Sequence, residues 1–181
     1  MVSSAHEPEL DPVRRMRVMA AALPLHCHAE AFLEAPFVDV WAVAGDPEGG
    51  LPRLLPGLRR LVLVDGPGPH QRARAHGPWG RVVEADVLRQ PGWCLMQSER
   101  TFLGLAAVPQ DHGTRFGFFA GPRTARNAAA GHVLERYGDL YARRVVARLR
   151  ASVADGRTGR PPGPAGPDRR SDGTFRHPPG S

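Results

Sequence analysis

The side chains in this sequence that could do chemistry are hydrogen-bond donors rather than nucleophiles. Tyr137 and Tyr141 are the only two tyrosines, and a helix would set them one turn apart on one face. A phenol in an apolar cavity needs a polar partner and can donate to a ligand carbonyl. The same pair also reads as core residues with hydroxyls at the rim. His70, Arg72, Arg74 and His76 alternate and so share one strand face. Turned inward, Arg74 would stabilise an enolate or carboxylate through charge-assisted hydrogen bonds. Turned outward, the row is a solvated basic edge, with Ala73 and Ala75 on the packed side. Trp93, Leu95, Gln97 and Glu99 form one face of a later strand, and Cys94, Met96 and Ser98 the other. Trp93 then belongs to a core or cavity, and Glu99 falls at the turn.

Other chemistries lack their signatures. There is no glycine-rich phosphate loop followed by lysine, no Gly-x-Ser-x-Gly elbow, and no His, Cys or carboxylate cluster at metal spacing. His26-Cys27-His28 is compact, but successive strand residues point to opposite faces and cannot all chelate one ion. No metal and no cofactor are expected. Cys27 and Cys94 read as free thiols. A reactive Cys94 would need an electropositive, accessible neighbourhood.

All 24 basic residues are arginine, against 18 acidic ones, for a net charge of +6. Five arginines (Arg157, Arg160, Arg169, Arg170 and Arg176) against Asp168 and Asp172 put +3 of that charge in the last 26 residues. Aromatic residues do not interleave with the basic ones, so no nucleic-acid stacking platform is present and such a partner is not expected. No apolar run reaches the roughly 18 residues of a membrane span. Residues 1–25 read as a flexible leader. The run Val18 to Leu25 after Arg14-Arg15-Met16-Arg17 mimics a signal peptide, but Pro24 interrupts it. Residues 156–181, rich in Gly, Pro and Arg, cannot bury enough surface to offset their ordering entropy and are expected to be disordered. The expected location is the cytoplasm.

Between these ends the periodicity changes twice. Residues 26–33 read as a strand. Pro36 suits a first helical turn, and Phe37, Val40, Trp41 and Ala44 form an apolar face. A second short helix is read at 51–55. Strands follow at 58–64, 70–76, 81–88, 93–97, 102–108 and 114–120, separated by Gly and Pro turns, as in an antiparallel meander. From 125 to 154 proline is absent, and Leu134, Tyr137, Tyr141, Val145 and Leu149 make a helical stripe. Asp155-Gly156 is the expected stop.

This order, with Ala35-Pro36-Phe37-Val38-Asp39-Val40-Trp41 at its start and Pro109-Gln110-Asp111-His112-Gly113-Thr114-Arg115-Phe116 before the last strand, resembles the START/polyketide-cyclase (SRPBCC) superfamily. The resemblance covers roughly residues 26–153 and carries no catalytic motif. It implies an α+β helix-grip domain over residues 26–155. A curved antiparallel sheet of six to seven strands would wrap a long C-terminal helix, with two short helices after the first strand and a ligand cavity inside. Small residues (Ala73, Ala75, Gly104, Ala106, Ala107, Gly117) would leave that cavity room, and the compressed stretch between Trp79 and Gly113 would keep it small.

The activity implied belongs to secondary metabolism: aldol-type cyclisation and dehydration of a poly-keto substrate, with an acyl carrier protein as a candidate donor. Arg74, Tyr137 and Tyr141 would be the hydrogen-bond donors and Glu99 or a histidine the proton shuttle. Trp41, Arg72, Trp79, Trp93, Gln97, Phe116, Phe118 and Leu134 would contact the substrate, with Trp79 capping the mouth. The alternative is a non-catalytic carrier of a hydrophobic ligand.

Overall fold

The structure is a computed structural model. It describes residues 11–23, 25–123 and 128–158, without the side chains of 128–135 and 157–158. The elements are α1 (Pro12–Ala21), β1 (Cys27–Leu33), α2 (Phe37–Ala44), α3 (Leu51–Leu54), β2 (Arg60–Leu63), β3 (His70–His76), β4 (Val82–Gln90), β5 (Trp93–Ser98), β6 (Thr101–Gln110), β7 (Gly113–Pro122) and α4 (Ala128–Thr158). The seven strands form one curved antiparallel sheet in the order β1-β7-β6-β5-β4-β3-β2. From β1 onward this is an α+β helix-grip fold.

Residues directly opposed across antiparallel strands point to the same side of the sheet. On the concave side, one row runs Val87, Met96, Leu103, Ala120, Cys27, and the next runs Cys94, Leu105, Phe118, Ala29. The buried stripe of α4 (Ala142, Val145, Val146, Leu149 and Val153) closes over this side, together with Val40 and Ala44 of α2 and Leu51 and Leu54 of α3. The spacing of the α4 stripe, three to four residues at a time, keeps one face on the sheet along several turns. Thr114 is fully buried and donates from Oγ1 to the Ala35 carbonyl at 2.8 Å, which ties β7 to the start of α2.

The convex side holds a second core. Residues 12–21, read from sequence as part of a flexible leader, form α1. Asp11 caps it, accepting from the Val13 and Arg14 amides at 3.1 and 3.0 Å, and Pro12 takes the first turn. Val13, Met16 and Ala20 are buried against Trp93, Ala106 and Phe119. Two ionic contacts fasten the helix: Asp11 to Arg115 at 2.7 Å, and Arg17 to both carboxylate oxygens of Glu30 at 2.7 and 2.6 Å.

This second core also corrects the reading of the small residues. Trp93, Ala106 and Gly117 form one convex row, and Leu95, Gly104 and Phe119 the next. Gly104 gives room to the Phe119 ring, and the tip of Met16 fills the space over Gly117. Gly104, Ala106 and Gly117 therefore seat α1 and do not enlarge an interior cavity. At the other end, α4 runs past the expected stop through Gly156 to Thr158. Gly156 has open space around it, and a helix tolerates one such glycine at a cost of about 1 kcal/mol. The remaining tail residues, 159–181, lie outside the described residues.

Candidate functional site

The concave side is fully buried at one end and partly accessible at the other. Where α2 and the C-terminal half of α4 lie over the sheet, Leu105, Phe116, Phe118, Val145 and Leu149 are all fully buried. Toward the start of β1 and the end of β7 the situation changes. Leu103 and Ala120 point inward from β6 and β7, strands paired on both sides, yet both are only half-buried. Leu63 of β2 and Ala75 of β3 are also half-buried, and Val83, opposite Ala75, is 41% exposed. Leu63, Ala75, Leu103 and Ala120 pack against the edge of the core while remaining partly accessible. This partly accessible apolar stretch of the inner face, beside the first turns of α4, is the candidate hollow.

One phenol of α4 packs at the edge of the core on this inner face. Tyr141 of α4 is half-buried, its ring 6.0 Å from that of Phe118, and its hydroxyl donates to the Pro56 carbonyl at 3.3 Å. Burial pushes its pKa up to about 12. It is therefore a neutral hydroxyl at ordinary pH; with its one proton on the Pro56 carbonyl, its oxygen remains to accept from a ligand hydroxyl. Burial likewise raises the Cys94 thiol to about 12 and moves Cys27 upward. Neither supplies a thiolate, and both are small apolar residues of the core.

The other residues singled out from sequence scatter. Arg72 and Arg74 face outward on the convex side. Arg72 forks onto Asp65 at 3.2 and 3.1 Å, and Arg74 lies 3.5 Å from Glu84. Of the inward and outward readings of this row, the structure has the outward one, because the alternate residues Gln71 and Ala73 are buried. Gln97 and Glu99 join both arginines in an open groove of about 310 Å³ on that outer side, with Glu84, Asp86 and Arg123. The Gln97 amide, oriented with its oxygen toward Arg123, accepts from both terminal nitrogens at 3.0 and 3.2 Å. Three arginines and three carboxylates line the groove, so it holds no net charge with which to select an anion.

Trp93 is buried beneath α1, with the Arg15 guanidinium 4.8 Å from its ring centre, and does not line the hollow. Trp41 stacks on Phe37 at 6.2 Å, half-buried on the flank of α2. Trp79 is 89% exposed at the β3–β4 turn, with φ at 55°, and Tyr137 is 54% exposed on α4. Phe116 and Phe118 form the filled end. Leu134 lies in the first turns of α4, and its side chain is outside the described residues.

Of the four residues assigned catalytic roles, only Tyr141 packs on the inner face. Arg74 and Glu99 are on the other side of the sheet, and Tyr137 faces solvent. The lining residues Leu63, Val83, Leu103 and Ala120 were missed. The available signal was phase: Cys94, Leu105 and Phe118 mark the inward parity, and carrying it two residues along β6 and β7 reaches Leu103 and Ala120. Among the described residues no group of three or more His, Cys, Asp or Glu could hold a metal ion.

No family model matches the chain, and no curated protein does. Solved structures do match in fold. The di-domain aromatase/cyclase StfQ from the steffimycin biosynthetic pathway is 12% identical, with a TM-score of 0.59 over 78% of this chain; the match spans 54% of StfQ, about half its length. TTHA0849 from Thermus thermophilus is 18% identical, with a TM-score of 0.55 over 72% of this chain and 98% of its own. Ara h 8.0201 is 12% identical, with a TM-score of 0.52 over 72% and 97%. At these identities the likeness is one of fold.

Proposed function

We propose that this protein binds an apolar small molecule in the hollow between α4 and the sheet and acts as its carrier. The observation that supports this is the accessibility of Leu103 and Ala120 on inward-facing positions of two interior strands. A site with these aliphatic walls and the Tyr141 phenol at its edge would take a largely hydrocarbon or aromatic ligand and orient it through one hydroxyl that donates to the phenol oxygen.

A second reading, ring closure of a poly-keto chain presented by an acyl carrier protein, draws on the fold likeness to StfQ. Tyr141 would have to leave the Pro56 carbonyl and donate to the carbonyl under attack. This reading is weaker, because the expected partners Arg74 and Glu99 lie across the sheet from Tyr141 and cannot share a substrate with it.

Native mass spectrometry of the chain incubated with a panel of apolar aromatic and poly-keto compounds tests both. The carrier reading predicts one ligand bound per chain and recovered unchanged. Recovery of a product lighter by one water would support the second reading instead. Absence of saturable binding across the panel contradicts both.

A further inference from the structure

The solvent face of α4 is unusual for a globular protein. Counting 100° per residue, Leu140 stands opposite the buried stripe of Ala142, Val145, Val146, Leu149 and Val153, at the apex of the exposed side, and is 47% exposed. Tyr137 is beside it at 54%. Arg136, Arg143, Arg144 and Arg148 surround the two and are all exposed. None of these four guanidiniums has an ion pair or hydrogen bond among the described residues. Asp139 shares a flank with Arg136 and Arg143, three and four residues away, and Arg144 and Arg148 lie on the far side of the helix from it.

A second segment reaches the same corner. The Tyr141 hydroxyl binds the Pro56 carbonyl. The neighbouring Gly57 carbonyl is 3.8 Å from where a Gly77 Cβ would stand, and the Arg59 amide donates to the His76 carbonyl at 2.8 Å. That path leads to the β3–β4 turn and Trp79, which projects almost wholly into solvent, followed by Val82 at 52%. Arg59, Arg60 and Arg81 flank this turn and are exposed.

We infer that this corner is a docking surface for an anionic lipid bilayer. Trp79, Tyr137 and Leu140 would enter the headgroup region, and the ring of arginines would bind lipid phosphates. Trp and Tyr favour the membrane–water interface, where the ring is half in and half out of water. Each basic residue near an anionic surface strengthens attachment severalfold, and guanidinium forks fit phosphate. Apolar tips that project from two separate segments suit a soft, flat partner. A nucleic acid would use the arginines but leave Leu140 and Val82 with nothing to bury against. The contact is peripheral: no helix among the described residues is long and apolar enough to cross a membrane. The inference stands whether or not the hollow holds a ligand.

Vesicle co-sedimentation of the full chain tests it, comparing phosphatidylcholine alone with mixtures carrying about one-third phosphatidylglycerol. The expected result is binding to the anionic vesicles only, released by high salt, with a blue shift in tryptophan emission that Trp79→Phe removes. Arg144→Glu with Arg148→Glu should weaken binding by about tenfold or more. Trp79→Ser with Leu140→Ser should weaken it severalfold at unchanged net charge. All four positions are exposed, and far-UV circular dichroism confirms that the variants fold. Equal binding to both vesicle types overturns the inference. So do wild-type affinities in both double variants, the pattern expected if the C-terminal arginines alone attach the chain. Duplex DNA binding at comparable affinity, unaffected by Trp79→Ser, also overturns it.

Discussion

At the scale of single residues, burial decides what each group can do. Tyr141 and Cys94 are both pushed to about 12 by removal from water. For Tyr141 the folded value lies above the ordinary 10.0, so its contribution to stability is complete below pH 10 and is lost as pH rises from 10 toward 12. Ultraviolet titration should show one tyrosine ionising near pH 12, absent in Tyr141→Phe. That variant should also lose about 1 kcal/mol through the Pro56 hydrogen bond. Both thiols should resist Ellman's reagent in the native chain and react only on unfolding; prompt reaction of either would contradict their placement in the core. Sequence alone showed that these residues exist and that Tyr137 and Tyr141 share a helix. It could not separate them, because a stripe that runs past the end of the sheet's cover exposes its outer members. Tyr137 and Tyr141 differ by four residues, or about 40° around the helix, and that difference moves one phenol into solvent.

At the scale of elements, strand order and helix positions were readable because Gly and Pro turns separate runs of clear parity. The strand at 70–76 coincides with β3, and the other boundaries shift by a few residues. Helix α1 was not readable. Its buried stripe is three residues wide (Val13, Met16, Ala20) and interrupted by arginines, and its seat is made by glycines and alanines on strands far away in sequence. The signal that could have found it is Asp11-Pro12, a cap followed by proline at the first helical position. Met16→Ala should cost about 2–5 kcal/mol in urea unfolding and shift Trp93 emission to the red. The contacts that fasten α1 are acid-sensitive. The Arg17 fork holds Glu30 below the usual carboxylate range, and burial lowers His28 beside it. Groups with lowered folded values stabilise above their unfolded values and lose that contribution as pH falls. Stability should therefore decline as pH falls below the ordinary histidine value of about 6.5, through His28, and further below the ordinary glutamate value of about 4.3, through Glu30. A shallower slope in Glu30→Gln with His28→Gln than in the wild type is the expected comparison, with Asp11 and Asp65 keeping part of the slope; equal slopes would remove the clasp from the account.

At the scale of the whole molecule, one sheet serves two cores. The convex side is closed by α1, and the concave side by α2, α3 and the C-terminal half of α4, with the partly accessible inner-face residues toward the start of β1 and the end of β7. The fold was legible from the order of elements, but the place of the site was not. Side-chain parity says which face a residue takes, whereas the extent of the filling depends on where each helix crosses the sheet. Dye binding to a filled variant tests the central claim most directly. An apolar fluorescent probe should bind the wild-type chain at one site. Ala75→Phe with Ala120→Leu, which occupies the hollow from two strands without touching the filled end, should abolish that binding while leaving the melting temperature within a few degrees of the wild type. Probe binding that persists unchanged in the folded double variant would show that the hollow is not where this protein holds its ligand.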